Sequence, residues 1–184
     1  MKLPRIQRIC RIPRLLPTLV RANGGGMMIE FAFVAPFVIL LLVSTVEVGF
    51  MLFVGSALEG AAESAARQIR TGQVQESADP VTAFQTKFCQ QVFNLIDCNQ
   101  VTYDVRAFDD FASVDTTMEF DEDGQLVGAQ FAPGESGEIT IVRILYRMTF
   151  FTPLVSQALS PDGSGSTLLM STMAFQNEPY ELGG

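Results

Sequence analysis

Residues 31–54 read FAFVAPFVILLLVSTVEVGFMLFV, and Glu47 is the only charge among them. About 20 apolar residues cross a ~30 Å hydrocarbon core, so this run is long enough to span a bilayer as one helix. Lys2, Arg5, Arg8, Arg11, Arg14 and Arg21 precede it, and no acid occurs before Glu30. By the positive-inside rule this bias holds the N-terminus in the cytoplasm and sends the C-terminal part across. No second apolar run approaches this length. A cleaved secretory signal is the competing reading, with Ala62-Glu63-Ser64-Ala65 as a weak cleavage site, but its apolar core would be only ~7–15 residues.

The charge changes sign at the seam NGGGMMIEF, residues 23–31. Six of the 12 cations lie before it, whereas all 20 acids lie after its glycines. A leader of such different chemistry reads as a targeting and processing element, and Pro4, Pro13 and Pro17 argue against a lasting fold there. The expected organisation is a basic cytoplasmic leader (1–25, cleaved), a transmembrane and extended helix (26–72), and an exported domain (73–184). The whole chain, at 184 residues, has room for one modest domain plus an anchor.

Helical signals run on beyond the apolar stretch. Leu58, Ala61, Ala62, Ala65 and Ile69 recur at helical spacing, with Glu59, Glu63 and Arg70 elsewhere on the wheel. Arg67 and Arg70 suit a last turn, and Gly72 is a stop signal. The predicted helix covers 26–70 and would be ~65 Å long, of which ~30 Å fits in the bilayer. Pro36 falls early enough to kink it without ending it, given neighbours that re-satisfy the freed backbone group. A second helix is predicted over 81–96, with Phe84, Phe88, Val92 and Leu95 on one face. Strands are predicted over 101–107, 139–150 and 167–176, with a short helix over 154–159. In the second strand Val142, Ile144, Tyr146, Met148 and Phe150 share one face, and Arg143 and Arg147 the other. The acidic stretch 109–135 reads as a loop with a weak hairpin around Gly124. Helices precede strands and nothing alternates as βαβ, so the fold class is α+β with a small antiparallel sheet.

The residues offer little for catalysis. Histidine is absent, which removes the usual neutral-pH base and the commonest metal ligand. There is no GxSxG, and the glycine runs at 24–26 and 163–165 lack the Lys and context of a phosphate loop. The acidic run from Met118 to Gly124 fails the calcium-hand spacing, since Gly124 and Ala132 fall at positions 4 and 12 counted from Asp121. No metal site, cofactor or enzymatic activity is expected, and the acidic exported part argues against nucleic acid.

Three cysteines are present. Cys10 lies in the leader, leaving Cys89 and Cys98 as an even pair in an oxidising compartment. On one continuous helix their Cα atoms would be ~13.5 Å apart, whereas a disulfide needs ~4.4–6.8 Å. The bond therefore requires the helix to end before Cys98. Asp97, Asn99 and the strand from Val101 favour such a turn.

Two carboxylates sit in the anchor. Glu30, at its start, has a cost that usually signals function or a partner, set against a plain interfacial acid favoured by the helix dipole. Glu47 reads as a wetted carboxylate near the far membrane surface.

The segment Gly25-Gly26-Met27-Met28-Ile29-Glu30-Phe31 resembles the processing site of Flp-type (tight adherence) pilins and pseudopilins. Residues 35–73, APFVILLLVSTVEVGFMLFVGSALEGAAESAARQIRTGQ, are similar to the TadE/TadG-like helix with its proline, second glutamate and Ala-rich exit. The resemblance covers about residues 24–73. It implies a prepilin peptidase cutting after a glycine on the cytoplasmic face, with Glu fifth in the mature chain. Of the three glycines, only a cut between Gly25 and Gly26 puts Glu30 fifth, with the aromatic Phe31 after it. It further implies a minor pseudopilin assisting assembly of an adhesive Flp-type pilus. The partners would be the inner membrane, the peptidase, other pilins and pseudopilins, and the assembly platform. Its place would be the inner membrane with a periplasmic C-terminal domain, or from there an extracellular pilus. The alternative is an unprocessed single-pass periplasmic binding or scaffold protein.

Overall fold

The computed structural model describes residues 26–122, 124–160 and 163–180. The leader with Cys10 and Gly25 lies outside the described residues. Helix α1, Gly26–Arg70, has Pro36 inside it. The chain divides into two units, Met1–Leu42 and Val43–Gly184. In the described part of the first, α1 exposes Met27, Met28, Ile29, Phe31, Phe33, Phe37 and Leu41. A helix apolar all round needs an apolar environment to cover it. It is one helix long and apolar enough to cross a membrane.

In the second unit α1 buries Glu47, Val54, Leu58, Ala61, Ala62, Ala65, Ala66 and Ile69. Steps of three and four residues put these on one stripe, and the alanines allow close approach. Its end agrees with the sequence signals. Gly72 adopts φ +80°, and a Cβ there would meet the Tyr180 ring at 2.7–2.9 Å. Only glycine satisfies both the left-handed backbone and that contact.

Helix α2 is Pro80–Gln91, with Asp79 as N-cap accepting from the backbone N–H of Thr82. Hydrogen bonds from Thr82 hold the Asp79 carboxyl below its usual range. Strands β1 (Val101–Phe108), β2 (Ile139–Thr149) and β3 (Ser166–Gln176) form an antiparallel sheet in that order, and α3 is Pro153–Leu159. The register pairs Val105 with Val142 and Ile144 with Ser171. One sheet face, with Tyr103, Val105, Val142, Ile144 and Met148, packs with the α1 stripe and with Phe84 and Phe88 of α2. Tyr103 meets both phenylalanines edge-on, at 5.8 and 5.5 Å between centroids. Burial pushes its phenol up to about 12.

The architecture is the expected α+β, with a long N-terminal apolar helix, a second helix and a three-stranded antiparallel sheet. One detail differs from expectation. The second helix stops at Gln91, not at Ile96, because Phe93 and Asn94 take left-handed φ values of 47° and 59°. Asparagine tolerates that region and Phe93 does so at a cost. The strand β2 is buried on both faces, including Arg143. The acidic segment covers the second face: Arg143 donates to the Asp115 carbonyl, Arg106 to that of Gly128, and Arg147 to that of Gly124. Within that segment Phe120 and Leu126 form an antiparallel bridge around Gly124.

The left-handed turn returns the chain so that Cys98 lies 6.1 Å from Cys89 between Cα atoms, and the two are disulfide-bonded. Asp97 caps the turn by accepting from the Asn99 N–H. Closing a loop of this length restricts the unfolded chain by roughly 2.5–3 kcal/mol. Cys89→Ser with Cys98→Ser is expected to lower stability by about that amount. Alkylation without reductant, in a Cys10→Ser background, is expected to label neither cysteine. Labelling of both would show a reduced pair.

Candidate functional site

The segment expected to be processed runs into the start of α1. Gly26 is its first residue, and Glu30 and Phe31 both stand exposed on it one turn later. Glu30 is exposed together with its apolar neighbours, so its carboxylate is presented outward on an apolar helix. Gly25, the other half of the expected scissile bond, lies outside the described residues. A Cβ added at Gly26 would meet nothing within 4 Å, so the helix start itself is sterically open.

The sequence reading missed the role of Glu47. It is buried, at 5% exposure, and not wetted. Its carboxylate accepts hydrogen bonds from the backbone N–H of Phe151 and from that of Thr152, the latter at 3.1 and 3.2 Å. It thereby fixes the β2–α3 connection to α1 within the second unit. A signal existed: a lone carboxylate in an apolar run needs donors, and Pro153 marks a turn whose preceding N–H groups are outside any strand ladder.

A second polar cluster was also missed. Asp104 and Arg143 face each other across β1 and β2, with side chains 1% and 3% exposed. Arg143 Nη1 donates to Asp104 at 3.3 Å, and Arg106 Nε donates to it at 3.0 and 3.1 Å. The Gln130 backbone N–H adds a further bond at 3.0 Å. These contacts tie the acidic segment down. Among the described residues, no group of three or more His, Cys, Asp or Glu side chains is gathered for a metal.

An apolar N-terminal helix that carries an outward carboxylate and is long and apolar enough to cross a bilayer suggests membrane anchoring. The family profile described as TadE-like protein matches residues 25–67, which covers most of the seam and nearly all of α1, so the chain carries the TadE-like segment. Comparison with curated proteins and with solved structures gave no match.

Proposed function

We propose that the chain is a minor pseudopilin of a tight-adherence (Flp-type) pilus, cut by a prepilin peptidase between Gly25 and Gly26. The observation that carries this reading is the coincidence of a TadE-like match over residues 25–67 with an outward Glu30 at the fifth position from Gly26. Cleavage creates an amine at Gly26. A fifth-position carboxylate on a neighbouring subunit pairs with such an amine, and pairing relieves the cost of both charges in an apolar setting. The helix then packs among other pilin helices while the C-terminal α+β domain stands in the periplasm. The chain performs no chemistry of its own and is the substrate of the peptidase.

Mass spectrometry of the membrane-extracted protein tests this. The expected mature chain begins at Gly26 when the peptidase is co-expressed, and Gly25→Leu is expected to leave only precursor. Maturation of that variant at an unrelated bond would overturn the pseudopilin reading, and a wild-type chain that keeps its leader would favour an unprocessed membrane-anchored periplasmic scaffold.

A further inference from the structure

The β2–α3 connection is held at a level of α1 that the apolar run has not yet left. Glu47, which binds it through the N–H groups of Phe151 and Thr152, lies six residues before Phe53. That is ~9 Å along the helix axis. Around and beyond Glu47, α1 still exposes Val46, Phe50, Leu52 and Phe53. Beyond Glu47, polar exposed positions begin only at Ser56 and continue with Glu59 and Glu63. The apolar surface of α1 therefore continues past the level at which Phe151 is tethered.

The connection is built for that level. Residues 150–160, FFTPLVSQALS, hold no charged side chain. Phe151 is 82% exposed and Leu154 52%, with Leu159 exposed beside them on α3. Non-helical backbone is tolerated at membrane depth only when its polar groups are satisfied. Here Glu47 takes the N–H of Phe151 and of Thr152, Pro153 has none, and the Phe150 N–H donates to the Gly165 carbonyl at 3.0 Å. Phe111 is also exposed but is flanked by Asp109 and Asp110, so it has no such setting.

We propose that Phe151 and Leu154 insert into the interfacial zone of the lipid bilayer and dock the exported domain on the membrane surface beside α1. The occupant of this apolar patch is lipid. Continuity with the lipid-facing side of α1 selects it: any surface tethered at the Glu47 level meets the bilayer before it meets a soluble partner. Glu47 then acts as an internal strut that sets the height of the domain. The inference rests on α1 crossing the bilayer.

The chain has no tryptophan, so a single one reports its own surroundings. F151W, L154W, F111W and F37W would each be reconstituted as the full chain in phosphatidylcholine–phosphatidylglycerol vesicles. Lipids with nitroxides at shallow or deep acyl positions quench from within the membrane, and iodide quenches from water. F151W and L154W are expected to emit to the blue of F111W. They should be quenched several-fold more strongly than F111W by the shallow nitroxide, and several-fold less by iodide. F37W, in the middle of the apolar run, is expected to respond to the deep nitroxide. If F37W responds while F151W and L154W are as open to iodide as F111W, docking is overturned and anchoring stands. If F37W does not respond, anchoring falls and docking with it. Shielding of both reporters from iodide without nitroxide quenching would mean a protein covers the patch, which also overturns the proposal.

Discussion

Asp104→Ala is expected to destabilise the C-terminal domain by about 3–5 kcal/mol, since removing one partner of a buried pair leaves the other charge uncompensated. Arg143, 3% exposed, would keep the Asp115 carbonyl as a hydrogen-bond acceptor among the described residues. Arg106 and the Gln130 N–H would lose their carboxylate at the same time. The loss should spread to the whole acidic segment, because these bonds hold residues 115 and 130 onto the sheet. Chemical denaturation of the detergent-solubilised chain, monitored by the tyrosine near-ultraviolet signal, reads the domain alone. All three tyrosines, Tyr103, Tyr146 and Tyr180, lie outside α1. Glu59→Ala, an exposed change, is the comparison and should stay within about 0.5 kcal/mol. A paired replacement, Asp104→Leu with Arg143→Met, should recover most of the loss, since buried ion pairs exchanged for apolar groups are often neutral. A loss under about 0.5 kcal/mol for Asp104→Ala would show that the cluster holds nothing.

The range of the interactions involved decides how much of the structure is legible in the sequence. α1 is readable from end to end because its determinants are local: apolar spacing, cations in the last turn and Gly72. The three strands are readable within two residues or so because alternation and Pro153 punctuate them. The end of α2 is misplaced because Val92, Phe93 and Asn94 give no strong stop signal, and tertiary context forces the left-handed turn there. What covers the second face of β2 is not legible for a different reason. Arg143 and Arg147 share that face as expected, but their partners include backbone carbonyls of Asp115 and Gly124, more than 20 residues away. Glu47 is misread likewise, since its donors are 104 and 105 residues distant. Periodicity tells which face a residue takes, but not what will cover that face.

The Glu30 carboxylate is where the proposed function stands or falls. An acid near the centre of a spanning helix costs roughly 2.5–3.5 kcal/mol on insertion scales, and less towards an edge, so Glu30 at the start of the run burdens insertion only mildly. Replacing it by Ala or Gln keeps or raises the apolar character of α1, and the six cations before the seam still orient the chain. Anchoring and cleavage are therefore expected to persist in Glu30→Ala. What should disappear is assembly. A Gly26 amine on a neighbouring helix would have no carboxylate to meet, and an unpaired ammonium among apolar helices is costly enough to disfavour subunit entry. The expected phenotype is mature protein in the membrane fraction by immunoblot and no fibres on the surface by electron microscopy. Glu30→Gln should behave in the same way, because it retains the shape and removes the charge. Normal pilus numbers in Glu30→Ala cells would refute pairing between the new amine and this carboxylate. Loss of the protein from the membrane fraction would instead assign Glu30 to insertion, although removing an acid from an apolar helix lowers the cost of inserting it.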